Sequence, residues 1–226
     1  MRPIEELINK EQPGGVLIRE WISKGKNKVE ILEVDSLKGR DELYKLQITT
    51  RSPMGAMAYT TGGILIDNGW IRILGSGNPK LTRTITSWNK GKAFDEIGNP
   101  AKFLLIADDA IGGFFVLNFG AYGTDFAKVY YFSPDNLNFE PLDLTYSEFL
   151  NFCFNGDLDD FYKNLRWKNW QDEVKNLQGD WVYTFYPTLW SKEGKDITKN
   201  VRNPVPIEEQ YSLNIEFRKQ LGLDTK

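Results

Sequence analysis

The chain has 226 residues, with 28 Lys and Arg against 31 Asp and Glu, a formal net charge of −3, and no histidine. This near-balance lacks the basic excess or stripe of a protein that tracks phosphates, so nucleic acid is not an expected partner. The missing histidine excludes Ser-His-Asp and Cys-His activation of a nucleophile within the chain and removes the commonest transition-metal ligand.

A hydrophobic share of 41% suits one sizeable packed domain, and the 14% aromatic share fits either a heavy core or a binding face. Cys153 is the single cysteine, so no intramolecular disulfide forms and a reducing compartment is expected. MRPIEELINK has no apolar signal core, and no apolar run approaches the roughly 18 residues of a bilayer span. The expectation is a cytoplasmic protein away from membranes.

In chain order, residues 3–10 predict a short helix with Pro3 at its first position and Ile4, Leu7 and Ile8 on one side. After the Gln12–Gly15 break, residues 15–24 predict a helix with Leu17, Ile18, Trp21 and Ile22 on one face. Residues 28–34 predict a short strand. Asp35 or Ser36 then caps a helix to Leu46, with Leu37, Tyr44 and Leu46 inward and Gly39 costing about 1 kcal/mol relative to Ala. Ala56–Thr60 is read as a strand.

ILIDNGWIRIL, residues 64–74, is the clearest hairpin, because Asn68-Gly69 supplies the positive φ of a type I′ turn. Residues 80–88 read as an irregular strand or short excursion, and 89–100 as a loop. Strands follow at 103–107, 114–119 and 129–132, with an extended piece at 138–142. Asp108-Asp109 is read as the turn that closes the first of these.

Thr145-Tyr146-Ser147-Glu148 is a capping box opening a helix to Phe154, with Tyr146, Phe149, Leu150, Cys153 and Phe154 on one side. Asp157 caps another helix, and residues 169–177 form a third. WVYTFYPTLW, residues 181–190, is aromatic and extended, with Pro187 marking an edge or irregular segment. Residues 192–206 read as polar and Pro-containing. The expected fold class is α+β: a central, mainly antiparallel sheet (about 56–142) with flanking N- and C-terminal helices, including those at 145–178. Residues 1–195 form one domain, and 196–226 an extension that is helical at 207–221.

The sharpest local chemistry is Asp108-Asp109 beside Gly112-Gly113. With Asp67 from the neighbouring hairpin it offers oxygen ligands to a hard cation, against the plainer reading of acids and glycines shaping a turn. Cys153, on the apolar side of a helix and without a histidine to activate it, reads as an inert buried thiol. Gly75-Ser76-Gly77-Asn78 lacks the Lys-Ser/Thr and helix start of a phosphate loop and reads as a turn. Trp70, Arg72, Trp167, Trp170, Trp181, Tyr186 and Trp190 form the candidate binding face, with core the competing reading. No cofactor is implied.

GAMAYTTGGILIDNGWIRILGSGNPKLTRTITSWN, LLIADDAIGGFFVLNFGAYG, VYYFSPDNLNFEPLDLTYSEFL, GDLDDFYKNLRWKNW and FYPTLW occur in this order. Over roughly residues 3–195 the chain resembles the bacterial domain-of-unknown-function family 2625. That resemblance carries no activity and no catalytic residues. Residues 103–155 also resemble, less closely, the SUKH (Smi/Knr-like) superfamily, through Gly112, Gly113, Val129, Tyr130, Phe149 and Leu150. The SUKH-like resemblance implies immunity or adaptor proteins that bind another protein, in the immunity case a toxin. The SUKH segment with an acid and a Leu-Pro step before an aromatic is not found here. The expected function is non-catalytic protein binding. The alternatives are a divalent-cation-dependent enzyme at Asp108/Asp109 and a small-ligand binder in the aromatic C-terminal third.

Overall fold

Seven strands form one sheet whose order across the sheet is the order along the chain, every neighbouring pair antiparallel. The computed structural model describes residues 1–223. The strands are β1 (Val29–Leu32), β2 (Gly63–Ile66), β3 (Ile71–Leu74), β4 (Phe103–Asp109), β5 (Phe114–Asn118), β6 (Val129–Ser133) and β7 (Asn138–Leu144). A separate antiparallel pair joins β8 (Trp181–Tyr186) to β9 (Val201–Pro206). The helices are α1 (Ile4–Leu7), α2 (Gly14–Ser23), α3 (Ser36–Leu46), α4 (Pro53–Thr60), α5 (Ile85–Asn89), α6 (Tyr146–Asn155), α7 (Leu158–Phe161), α8 (Trp170–Lys175) and α9 (Ile207–Gln220). The α+β class and the antiparallel sheet are as the sequence predicts.

Successive residues of a strand point to opposite faces. One cross-strand row therefore reads Glu30, Leu65, Arg72, Asp108, Phe114, Phe132 and Phe139. On this first face, Trp88 of α5 and Tyr211 of α9 pack against Phe114, and the rings of Tyr211 and Phe114 lie 5.2 Å apart. The opposite row reads Ile31, Ile64, Ile73, Ala107, Phe115 and Tyr131. On that second face Phe149 of α6 lies 4.8 Å from Phe115, and Phe161 of α7 lies 5.2 Å from Tyr131. With both faces covered, β3, β5 and β6 are buried along their whole length and show no polar alternation.

Helix α6 buries Tyr146, Phe149, Leu150, Cys153 and Phe154, the predicted set, and its Thr145–Glu148 capping box is formed. Elsewhere the structure corrects the sequence. Ala56–Thr60 belongs to α4, not to a strand. Ser52 caps this helix, Pro53 takes its first position, and Met54 through Ala58 are all buried, so it is apolar all round and has no helical stripe to read. In α3 the inward residues are Gly39, Glu42 and Leu43, whereas Leu37 and Tyr44 are exposed. Gly39 is where α3 meets α4: a Cβ there would lie 2.6 Å from the Tyr59 carbonyl oxygen.

The β2–β3 loop holds the predicted positive φ at Asn68 (61°) and Gly69 (94°). Its register pairs Ile66 with Ile71, so it is longer than a two-residue type I′ turn. Residues 85–89, overlapping the stretch read as an irregular strand or short excursion, form α5, capped by Thr84 and Ser87.

Residues 201–206, within the stretch 192–206 read as polar and Pro-containing, form β9. Pro204 and Pro206 argue against a strand interior but fit an edge, because they have no N–H to leave unpaired. The boundary expected at residue 195 falls inside the β8–β9 connection. The hairpin is tied to the main sheet by the Tyr183 amide, which donates to the Ala110 carbonyl at 2.8 Å. Among the described residues no helix is long and apolar enough to cross a membrane.

Candidate functional site

Asp108 and Asp109 are the last two residues of β4, not a turn beyond it, and both are fully buried. As strand neighbours they point to opposite faces. On the first face Asp108 sits directly across from Arg72 of β3. Arg72 Nε donates to Asp108 Oδ1 at 2.6 Å, Nη2 to the Asp109 carbonyl at 2.7 Å and Nη1 to the Trp181 carbonyl at 3.2 Å.

Arg83 Nη1 donates to the other Asp108 oxygen at 2.6 Å, and its Nε to Asp180 Oδ1 at 2.9 Å. Thr82 closes the chain by donating its amide and hydroxyl to Asp180 Oδ2. Two guanidiniums and two carboxylates alternate from the core to the surface and cancel in charge. Burial opposes the charge on Arg83, but Asp108 and Asp180 outweigh it and hold its pKa above the ordinary arginine value. Burial likewise works to raise Asp180, while Thr82 and Arg83 together bring it below the ordinary carboxylate value.

On the second face Asp109 is fully engaged. Oδ1 accepts from the amides of Ile111 (3.1 Å) and Gly113 (2.7 Å), and Oδ2 from the hydroxyls of Tyr131 (2.6 Å) and Tyr162 (3.1 Å). Burial pushes its pKa up against the opposing pull of Tyr131, Gly113, Arg72 and Ile111. Burial and the neighbouring Asp109 push both tyrosine hydroxyls well above their usual range, which keeps them proton donors.

The third proposed cation ligand, Asp67, accepts from Arg166 Nη2 at 2.9 Å in the β2–β3 loop. Arg166 itself packs over the rings of Trp170 (4.1 Å), Trp70 (4.9 Å) and Tyr162 (5.4 Å). Asp108 and Asp109 thus spend their oxygens on separate partners across the sheet. Among the described residues no three His, Cys, Asp or Glu side chains are grouped to hold a metal ion.

The candidate aromatic face divides in the same way. Trp70, Arg72, Trp167 and Trp170 are buried and belong to the interior, where Trp70 meets the other two tryptophans at 5.6 and 4.9 Å. Trp190 is half-buried against Phe217. Trp181 and Tyr186, at the two ends of β8, reach solvent. The burial of Arg72 has a sequence signal: a cation inside the apolar run IRIL, in a strand covered on both faces, needs an acid beside it, and LLIADD supplies one.

Two open concavities lie beside these buried groups. A groove of about 490 Å³ has Glu30, Leu65 and Arg72 of the first face in its lining, together with Lys28, Lys80 and Lys175. A second, of about 380 Å³, has Glu42 in its lining. Glu42 is buried, with Oε1 accepting from the Thr86 amide (2.6 Å) and Oε2 from the Thr86 hydroxyl (2.7 Å), and burial raises its pKa. Sequence reasoning missed Arg83, Asp180 and Glu42, since no local pattern marks a polar residue whose partner lies tens of positions away.

The fold and these charges define an α+β protein built on a seven-stranded antiparallel meander that pairs buried Asp108 with two arginines and holds buried Asp109 by neutral donors. Residues 4–210 match the family described as Protein of unknown function DUF2625. A Haemophilus influenzae (strain KW20 / Rd) protein described as uncharacterized is 42% identical over 223 residues, covering 99% of this chain and 98% of its own. The Escherichia coli (strain K12) protein YbfG is 42% identical over 218 residues, covering 96% of this chain and 99% of its own. The chain belongs to the DUF2625 family. No solved structure matches it.

Proposed function

We propose that this is a non-catalytic protein whose work is to bind another protein, with SUKH-like immunity to a toxin or an adaptor role as its specific form. One observation carries the reading. Tyr186 and Val201, cross-strand partners in the β8–β9 ladder, are 78% and 63% exposed. Tyrosine is enriched at interface anchors because it offers area and a polar tip with few rotamers to freeze. Here it stands on a paired strand, so little backbone ordering remains for association to oppose.

The engagement of Asp108 and Asp109 by arginines, tyrosines and amides supports a structural role for both acids over a catalytic one. A pull-down from the source lysate tests the reading, with the native chain beside the Tyr186→Ala/Val201→Ser variant. A specific protein retained by the native chain and lost with the variant is the expected result. Equal capture by both, or none by either, refutes it. The immunity version further requires a toxin gene beside this one and protection of cells that express that toxin.

A further inference from the structure

We infer that the groove over Glu30, Leu65 and Arg72 binds a small organic phosphate monoester with an apolar body. The site is separate from the β8–β9 surface, and the inference does not rest on the protein-binding reading.

Charge is the first ground. The chain as a whole carries −3, yet Lys28, Lys80 and Lys175 converge on this groove. Its two carboxylates are already engaged, Glu30 by Lys80 and Asp180 by Arg83. Lys28 Nζ donates to the amide oxygen of Asn68, at 2.6 Å, and among the described residues the Lys175 ammonium makes no ion pair or hydrogen bond. Two ammonium groups therefore face the groove without a counter-ion. Separate ammonium groups act as point charges and suit a tetrahedral dianion, whereas a planar carboxylate is matched better by an exposed guanidinium fork.

The second ground is Arg72, 1% exposed and part of the groove lining. Its Nη1 carries two hydrogens and has one acceptor, the Trp181 carbonyl. A buried N–H without an acceptor is costly, and a ligand oxygen seated over Arg72 satisfies it. The third ground is the rest of the lining: Leu65, Pro79 and Leu177 give an apolar wall beside the cationic rim. The volume of about 490 Å³ falls in the range of small-molecule sites.

The test is calorimetric titration at low ionic strength, using the full chain with phenyl phosphate, inorganic phosphate, benzoate and phenol. Phenyl phosphate is expected to bind most tightly and to weaken as salt is added. Lys28→Gln and Lys175→Gln, both at exposed positions, are each expected to raise its Kd about tenfold, the loss of one charge-assisted contact. Lys219→Gln, on α9 outside the groove lining, is expected to leave Kd unchanged, and circular dichroism checks the fold of all three variants. No saturable binding of phenyl phosphate, or a Kd unmoved by both groove variants, overturns the site. Inorganic phosphate binding as tightly as phenyl phosphate, or benzoate binding more tightly, overturns the ligand class.

Discussion

Asp108→Asn is the sharpest test of the buried ion chain. The carboxamide keeps the shape of the carboxylate, but its NH₂ end meets a guanidinium, donor against donor, and the chain Arg72–Asp108–Arg83–Asp180 goes from neutral to one positive charge. Arg83 keeps Asp180 at 2.9 Å, so the uncompensated ion is Arg72, whose partners are then neutral oxygens only, the carbonyls of Asp109 and Trp181 and, in one orientation, the carboxamide oxygen. Removing one partner of a buried pair costs about 3–5 kcal/mol, and in a chain of this size each kcal/mol moves the melting midpoint by roughly 2–4 °C. The expected fall is on the order of 6–20 °C. Urea unfolding followed by circular dichroism gives the same loss as a lower midpoint with an unchanged slope. Arg83→Gln should lose less, because Asp108 keeps Arg72 and the partly exposed Asp180 keeps Thr82. An Asp108→Asn protein within about 1 kcal/mol of the native chain would refute the assigned compensation.

Glu42 tests pH linkage. Burial holds its folded pKa above the ordinary glutamate value, so the folded state holds a proton more readily than the unfolded state, and Glu42 costs stability as pH rises through that folded value. Relative to the native chain, Glu42→Gln should therefore be more favourable near neutral pH than at pH 4.5; a pH-independent difference in urea midpoint contradicts the assignment. Gly113→Ala would place a Cβ 2.3 Å from Asp109 Oδ2 and 2.4 Å from the Tyr131 hydroxyl, and overpacking of this kind costs about 1–3 kcal/mol, read from the urea midpoint. The Cys153 thiol is fully buried and burial pushes its pKa well up, so alkylation should be negligible in buffer and rapid in denaturant. Thr145→Ala removes the oxygen that caps the Glu148 amide and should cost about 1 kcal/mol by the same denaturation assay.

Local chemistry was legible where the signal lay within a few residues. The Thr145–Glu148 box and the i, i+3, i+4 spacing after it gave α6 its limits and its buried face. The runs IRIL, FFVLN and VYYFS, each set off by turn residues, gave the strands. Reading failed where tertiary contact overrode pattern: α4 is buried all round and has no stripe, and β9 carries two prolines that only an edge tolerates. It failed again at the charges. Arg72 stands in the candidate binding face, with core as the competing reading, and nothing local shows that its guanidinium is taken up by Asp108 and the Trp181 carbonyl and left 1% exposed at the base of a groove. Whether Trp70, Trp167 and Trp170 were core or surface depended on where α7 and α8 lie against the β2–β3 loop, which no local window contains.

Because the order of strands across the sheet follows the chain, each strand from β2 to β7 meets a partner synthesised immediately before it, and the sheet can grow one hairpin at a time. The cover of the first face cannot keep that pace. Tyr211, which packs on Phe114, and the Trp181 carbonyl, which receives Arg72, both lie beyond the last strand of the sheet. A nascent chain halted before residue 180 would hold all seven strands of the sheet with its aromatic row only partly sheltered and its ion chain cut short. Apolar surface left uncovered in this way is prone to aggregation.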